Sequence, residues 1–379
     1  MRLIYKYIIA FFIIVLLNTV VYSQSKSCWP SFRGNSSLTG KTKVQIQSLF
    51  KLIWKFKTGE GTKSSPVICN GNVYIGNNDG YLYSISKKGT LNWKFNAESS
   101  IEAAPLYLDN TVYFGTLEGD LFAIDATSGK QVWKYKTEGQ ISGASNWALG
   151  SDGKTIRILT GSYDFNLHCV DAKTGKKLWK CATDNFINGS PTVNSGRAVF
   201  GGCDGFLHIV DISSGKEFYK IDIGNYIASS PAIENDNAYF GNYDGEFYCV
   251  DIKIKKTIWK FTGAGTFLAS PSISENFIVI TSQDKNVYCL NKNDGQLIWK
   301  FKTLQKIESS PVVAGDKVLI TSGDGRIYLL DLKTGIKIFA YDLGSPIYST
   351  PAVIGDLIVV AANDGNVYGF GKKQKSGLE

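Results

Sequence analysis

Residues 229–260 read SSPAIENDNAYFGNYDGEFYCVDIKIKKTIWK, and the same pattern returns through nearly the whole chain. It opens with Ser-Pro, alternates apolar and polar residues into an Asp-Gly turn, alternates again, crosses a Lys-rich turn and closes on an aromatic residue followed by Lys. Alternation with a period of two is typical of strands, and Asp-Gly favours a tight turn between them. The unit therefore predicts four short antiparallel strands.

Three landmarks of this unit recur at nearly constant spacing, with a step of 40 residues through the second half of the chain. The turn acids are Asp79, Glu118, Asp164, Asp204, Asp244, Asp284, Asp324 and Asp364. The opening prolines are Pro66, Pro105, Pro191, Pro231, Pro271, Pro311 and Pro351, with Asn146 near the missing place. The closing aromatics are Trp54, Trp93, Trp133, Trp179, Tyr219, Trp259, Trp299 and Phe339. Four-stranded repeats of ~40–45 residues are the sequence sign of a β-propeller, so the chain is predicted to be all-β with eight blades.

The two ends of the repeat region complement each other. The last unit contains Pro351 and Asp364, but no closing aromatic strand follows them, whereas LFKLIWKFK at residues 49–57 is a closing strand that precedes the first complete unit. Pairing these segments would remove an exposed sheet edge. We therefore predict that residues 49–57 form the outer strand of the final blade.

The N-terminus indicates export. Arg2 and Lys6 precede an apolar run at residues 8–17, and small residues suit cleavage near Ser23. A retained membrane anchor is the alternative, although the run is shorter than the ~20 residues that span a bilayer. The expected organisation is a signal peptide at 1–23, an extended arm at 24–48, one propeller at 49–371 and a basic, disordered tail at 372–379. The expected location is the periplasm or the exterior.

The cysteines and the charge limit the function classes. All seven cysteines follow the predicted cleavage site, so at least one is unpaired, and the pairing stays open. Cys28 is preceded by Ser-Lys-Ser, which is not the apolar box of a lipoprotein, so no lipid anchor is expected there. The formal net charge of +8 is a mild excess and does not predict a nucleic-acid partner.

The segments AIDATSGKQVW at 123–133 and CVDAKTGKKLW at 169–179 carry a family resemblance. They are similar to the Ala-x-Asp-x-x-Thr-Gly-Lys-x-x-Trp repeat of pyrroloquinoline-quinone (PQQ) enzyme propellers, in which the Trp packs on a Gly-containing turn of a neighbouring blade. A signal peptide followed by a single propeller resembles the non-catalytic branch around the outer-membrane assembly factor BamB. That resemblance implies a scaffold without catalysis.

Catalytic members of the family hold calcium and place a pair of adjacent cysteines over the quinone, and no adjacent cysteine pair occurs here. We therefore expect no cofactor and no enzymatic activity, with a PQQ-binding module or quinone-dependent dehydrogenase as the alternative. His168 and His208 occupy a repeat position that is Tyr or Phe in the other units. They are interpreted as packing residues, and no metal site is expected.

The remaining signal lies on the surface. The loops entering each blade and the turns between second and third strands are expected on one, acidic face, and the Lys-rich turns on the opposite, basic face. Units three to five place aromatics where other units have small or polar residues, and these are the candidate partner-binding residues. They are Trp147, Tyr163, Phe165, Phe186, Tyr226 and Tyr243.

Two explanations of these rings stay open. Exposed aromatics with a polar rim predict a docking site for an envelope protein, with the chain a monomer and any membrane contact peripheral. The alternative is that the rings fill the central channel of the propeller.

Overall fold

A computed structural model describes residues 28–227 and 229–372 of the chain. The predicted signal peptide at 1–23 lies outside the described residues, as do 373–379 of the predicted tail. The described chain forms eight sheets of at least four strands, which confirms the eight-bladed propeller. It contains one short 3-10 turn, Phe32–Gly34, and no helix in this part is long and apolar enough to cross a membrane.

The blades follow one another along the chain, each as an antiparallel four-stranded meander. Blades one and two comprise β3 (Val67–Cys69), β4 (Asn72–Gly76), β5 (Tyr81–Ser86), β6 (Leu91–Asn96), β7 (Leu106–Leu108), β8 (Thr111–Gly115), β9 (Asp120–Asp125) and β10 (Gln131–Lys136). Blades three and four comprise β11 (Asn146–Leu149), β12 (Ile156–Gly161), β13 (Asn166–Asp171), β14 (Lys177–Ala182), β15 (Thr192–Asn194), β16 (Arg197–Gly201), β17 (Phe206–Asp211) and β18 (Glu217–Asp222). Blades five and six comprise β19 (Ala232–Glu234), β20 (Asn237–Gly241), β21 (Glu246–Asp251), β22 (Lys256–Thr262), β23 (Ser272–Ile273), β24 (Phe277–Thr281), β25 (Asn286–Asn291) and β26 (Leu297–Lys302).

Blades seven and eight contain the strands that come from the N-terminus. Blade seven comprises β1 (Lys41–Thr42), β27 (Val312–Ala314), β28 (Lys317–Thr321), β29 (Arg326–Asp331) and β30 (Lys337–Asp342). Blade eight comprises β2 (Lys51–Lys57), β31 (Ala352–Ile354), β32 (Leu357–Ala361) and β33 (Asn366–Gly371). The outer strand β2 pairs antiparallel with β33, with Lys51 opposite Gly371 and Lys57 opposite Asn366, so the predicted ring closure is confirmed.

Neighbouring blades are joined by the closing aromatics. The indole of Trp133 donates to the carbonyl oxygen of Ala172 in the next blade at 2.9 Å, and the ring covers Gly175, which has a φ of 68° as its turn requires.

 A Cβ atom on Gly175 would lie 2.7 Å from the indole of Trp133, so only glycine allows this contact. The same indole-to-carbonyl bond recurs from Trp54, Trp93, Trp179, Trp259 and Trp299. The hydrophobic core lies between blades, beside these contacts.

The Ser-Pro motif also links the innermost strands of neighbouring blades near the axis. The hydroxyl before the proline accepts the backbone N–H of the corresponding residue in the preceding blade, from Ser190 to Ser230 at 2.8 Å and from Ser270 to Ser310 at 3.0 Å. Thr350 donates in the same way to Ser65 at 2.9 Å, which joins the last blade to the first. The innermost strands are therefore linked by side chains as well as by packing.

The N-terminal arm runs along these innermost strands. Its carbonyl oxygens accept backbone N–H groups from successive blades, among them Tyr107, Val193, Ile233, Ile273 and Val313. Strand β1 adds to β27 in parallel, and Cys28 forms a disulfide with Cys69 of β3. The arm therefore ties together blades that are far apart in sequence.

We predict that Gly175→Ala lowers the free energy of unfolding by ~3 kcal/mol, because the new methyl group meets the Trp133 ring and the φ is left-handed. Gly196→Ala is the matched control, since its φ is 76° but no atom lies within 4 Å of the added Cβ. The control should cost ~1 kcal/mol, from the backbone alone. Chemical denaturation measures both, and equal losses would contradict the proposed importance of the indole contact.

Candidate functional site

Five of the six candidate residues lie together on the acidic face, and we call Tyr163, Phe165, Phe186, Tyr226 and Tyr243 the aromatic patch. The sixth, Trp147, lies apart on the innermost strand β11, where it packs against the hydrophobic cluster between blades two and three. The patch residues come from loops and turns of blades three to five, and none of them lines the central funnel described below.

One half of the patch is a group of three rings. Tyr163 and Phe165 belong to the turn between β12 and β13, and Phe186 belongs to the loop that enters blade four. The rings of Tyr163 and Phe186 stack with centroids 4.7 Å apart, and Phe165 lies 5.1 Å from Phe186. Phe165 and Phe186 remain 41% and 40% exposed, so their contact with each other does not bury them.

The other half is a pair of tyrosines. Tyr226, in the loop entering blade five, and Tyr243, in the turn between β20 and β21, meet nearly perpendicularly at 6.2 Å and are 49% and 45% exposed. Partial burial raises the pKa of Tyr243, with smaller contributions from Cys203 and Tyr163. Tyr163, of the three-ring group, therefore lies near Tyr243.

The backbone beneath the patch is held by a repeated bond. The N–H of Tyr243 donates to the carbonyl of Tyr226 at 3.1 Å, and the N–H of Cys203 donates to the carbonyl of Phe186 at 2.9 Å. Each of these bonds joins the loop entering a blade to the turn between its second and third strands. The rings are therefore carried by turns whose spacing is fixed.

Phe165 occupies a strained position. Its φ is 66°, in the left-handed region that the other turns of this type mostly fill with glycine, such as Gly205 and Gly245. A side chain in this region costs ~1 kcal/mol or more, and the exposed ring of Phe165 recovers little by burial. Strained residues of this kind cluster at functional sites.

Two histidine–aspartate pairs support the turns of blades three and four. His168 Nε2 lies 2.9 Å from Asp164, and burial lowers the pKa of His168 despite that carboxylate. His208 lies 2.9 Å from Asp204 and 2.6 Å from Glu217. Burial alone would lower the pKa of His208, but its two carboxylate partners raise it.

The histidines fill a position that in four other blades is a tyrosine bonded to the turn acid. Tyr328 donates to Asp324 at 2.8 Å, and Tyr83 and Tyr368 donate to Asp79 and Asp364 at 2.5 Å. The sequence showed the substitution but not this bond, although the acid lies in the turn only four residues before the ring. Within the described residues there is no cluster of three or more metal-ligating side chains.

A funnel of about 280 Å³ opens at the axis on the acidic face, with Phe32 of the arm at its wall. Small and hydroxyl-bearing residues form most of the lining, and its charges are Lys63, Glu102 and Glu308. Lys63 lies 3.2 Å from Glu102, and Glu308 is bonded to Lys306 at 2.5 Å. The lining therefore offers two carboxylates and no unpaired cation.

Cys203 was not among the sequence candidates, yet it lies in the patch. It precedes the turn acid Asp204, as Tyr163 and Tyr243 precede theirs. The repeat alignment could have found it at that position. The other free cysteines, Cys169, Cys181, Cys249 and Cys289, are buried.

Two family models match this chain. One, described as the β-propeller of the beta-alanine-activating enzyme, matches residues 143–377, and the other, described as the PQQ β-propeller domain of glucose/ethanol/alcohol dehydrogenase, matches residues 42–197. The chain belongs to the PQQ-repeat β-propeller family. A search of curated proteins found no match.

Solved structures share the fold of this PQQ-repeat propeller at low sequence identity. BamB from Moraxella catarrhalis is 18% identical with a TM-score of 0.71, and the match covers 87% of this chain and 100% of that one. A europium-containing methanol dehydrogenase is 13% identical with a TM-score of 0.79, covering 92% and 99%. The quinohemoprotein alcohol dehydrogenase from Comamonas testosteroni is 13% identical with a TM-score of 0.78, covering 94% and 83%. BamB and the two dehydrogenases thus share one architecture with this chain, and the likeness shows the fold alone.

We predict that Phe165→Gly raises the free energy of unfolding by ~1 kcal/mol, since it relieves the left-handed backbone and removes an exposed ring. Lys285→Gly is the control, because Lys285 occupies the equivalent turn position with a φ of 74° and is remote from the patch. Both variants should gain similar stability in chemical denaturation. A loss of more than ~1 kcal/mol in Phe165→Gly alone would show that its ring has a structural role.

Proposed function

We propose that this PQQ-repeat propeller is an exported, non-enzymatic scaffold of the cell envelope that binds a protein partner through the aromatic patch. The observation that carries the proposal is the patch itself, with four of its five rings at least 40% exposed on fixed turns. Aromatic residues within a polar rim dominate the energetics of protein interfaces. The likeness to BamB is compatible with this function, though it extends only to the fold.

The surroundings of the patch supply the polar rim. Asp184 lies beside Phe186 in sequence and is bonded to Lys220 at 2.8 Å, with 74% of its side chain exposed. Asn185 and Asn225 precede Phe186 and Tyr226. The Oδ1 atom of each asparagine accepts a hydrogen bond from the backbone N–H of the residue that follows it. The arrangement resembles the apolar centre and hydrated edge of an interface.

The disulfide supports export. Cys28 of the arm and Cys69 of β3 are bonded across 41 residues of sequence, and disulfides persist mainly in oxidising compartments. A cysteine in a disulfide also has no free thiol for a lipid anchor. Both features support a periplasmic or secreted protein whose membrane contact is peripheral.

The funnel lining argues against the quinone-dependent alternative. PQQ is a flat tricarboxylic acid, and a triacid would face Glu102 and Glu308 with only the paired Lys63 as a cation. The residues present therefore do not fit PQQ, and we derive no catalytic step from it. Buried thiols offer no nucleophile either, because burial raises the pKa of Cys169 and Cys289 to about 12.

We expect a photo-crosslinking amino acid at Tyr226 to form a protein adduct in the native envelope. The same probe at Leu304, which is 60% exposed in a loop of the same face away from the patch, is the control and should form none. Tyr163→Ser with Tyr243→Ser should weaken the capture about thirtyfold or more, because interface hot spots contribute ~2 kcal/mol or more each. The melting temperature of this double variant should differ little from that of the unsubstituted protein. Equal adducts at both probes, or capture that survives the double substitution, would contradict the proposed site.

The quinone alternative has its own test. Purified protein mixed with PQQ and calcium should show neither bound-quinone absorbance nor dye-linked oxidation of alcohols, because the funnel lining repels a triacid. Glu102→Gln with Glu308→Gln is an informative comparison, since it removes both carboxylates. Quinone binding by the unsubstituted protein would overturn the assignment.

A further inference from the structure

The face opposite the aromatic patch carries a ring of lysines, which we call the basic rim. It consists of the turns between third and fourth strands together with the first residues of the fourth strands. Its exposed lysines are Lys51, Lys87, Lys88, Lys130, Lys173, Lys176, Lys177, Lys216, Lys253, Lys255, Lys256, Lys333 and Lys337. Because blades are antiparallel meanders, these turns all lie at the end of the blade remote from the patch.

The lysines of the basic rim are not neutralised by the protein. Within the described residues none of them forms an ion pair, and Lys255 contacts only the ring of Tyr219 at 4.0 Å. Lysines toward the acidic face differ, since Lys136, Lys220 and Lys260 each lie within 3.5 Å of a carboxylate oxygen. Among the described residues, lysines without an ion pair are therefore most numerous on this rim, although Lys57, Lys285 and Lys302 toward the acidic face also lack one.

The carboxylates of the basic face offset only part of this charge, since the same turns hold six acids, Asp125, Asp171, Asp211, Asp251, Asp294 and Asp331, against thirteen rim lysines. Asp171 and Asp331 accept hydrogen bonds within their own turns, which lowers the pKa of Asp331 and keeps its carboxylate ionised beside the backbone. Nearer the axis, Glu234 is bonded to Lys41 and Lys292, and other acids pair likewise. The lysine side chains extend beyond these acids into solvent.

Exposed apolar side chains occur at this end of all eight blades, and in every blade except the sixth they lie beside rim lysines. They are Leu52, Ile53, Leu91, Val132, Leu178, Phe218, Ile254, Ile258, Leu297, Ile298 and Ile336, between 38% and 67% exposed. Ile254 lies at the tip of a turn between Lys253 and Lys255, and it is 62% exposed. The fold does not require an isoleucine there, because other blades form this turn with Ser, Thr or Asp.

We propose that the basic rim docks face-on to a membrane surface that contains anionic phospholipid. Unpaired lysines would lie over lipid phosphates, and the apolar side chains would enter the boundary between headgroups and acyl chains. The charges select the orientation, since the acidic face would be repelled by the same surface. A nucleic acid would use the lysines but not the apolar ring, so lipid is the better match.

The docked orientation leaves the aromatic patch on the side that faces away from the membrane. The proposal does not depend on a partner for that patch, because it rests on residues of the opposite face. It accounts for a feature that partner binding at the patch leaves unexplained, namely apolar exposure in all eight blades.

The test is co-sedimentation with vesicles, using the chain from Gln24 onward, which retains the whole described propeller and excludes the apolar N-terminal run. We expect binding to vesicles of phosphatidylcholine with phosphatidylglycerol and at least about tenfold weaker binding to phosphatidylcholine alone. Added salt should weaken the binding. Equal binding to both vesicles, or none to either, would overturn the proposal.

Two variants identify the surface. Lys173, Lys177, Lys253 and Lys256 changed together to Gln should lose affinity about fivefold per lysine, and Ile254→Ser with Ile336→Ser should also weaken binding. The control changes Lys63, Lys136, Lys220 and Lys306 to Gln, which removes the same charge from the other side of the molecule. An equal loss in this control would overturn the docking face. DNA binding that needs the rim lysines, with vesicle binding indifferent to the Ile254 and Ile336 changes, would overturn the choice of lipid.

Discussion

The ring depends on the contact between each closing aromatic and the glycine turn of the next blade. An indole such as Trp133 packs on the backbone of a left-handed glycine, Gly175, and donates to the carbonyl oxygen of Ala172 in the same turn. The exception between blades four and five supports this explanation. There the aromatic is Tyr219, whose smaller ring leaves room for a side chain, and Lys255 replaces the glycine with its ammonium 4.0 Å above the tyrosine ring. A smaller aromatic ring thus leaves space for a side chain at the glycine position, so the residues at the two positions depend on each other.

The same requirement determines how the ring closes. Blade eight takes its outer strand from the N-terminus, so it lacks the continuous turn on which Phe339 would otherwise pack. Phe50 fills that place, with its ring 4.8 Å from Phe339 and 5.6 Å from Phe370. Four residues further, Trp54 donates to the carbonyl of Lys87 in blade one at 2.9 Å. One N-terminal segment therefore completes the contacts of blade eight with blade seven and with blade one, which explains why this closing strand precedes the first unit.

The sequence predicted the features that each unit specifies by itself. Proline, Asp-Gly and the closing aromatic are local constraints, so their spacing was enough for the blade number and for the pairing of β2 with β33. Features that depend on which loops meet in space were not predictable. The disulfide between Cys28 and Cys69 and the path of the arm are of this kind. Trp147 is another example. The sequence groups it with the patch because it breaks the repeat, but it lies on the innermost strand and packs between blades.

A propeller also separates what the fold needs from what remains free for function. The residue that precedes the turn acid is not aromatic in four other blades, where it is Asn78, Leu117, Gln283 or Gly323. The turn therefore does not require the aromatic rings that blades three and five have at this position. These rings sit on backbone that is already fixed by bonds between loop and turn, and tyrosine has few rotatable bonds to order. A partner would therefore lose little affinity to the ordering of this surface. Rigidity that the fold imposes for its own closure would thus lower the entropic cost of binding a partner at the exposed rings, as the proposed function requires.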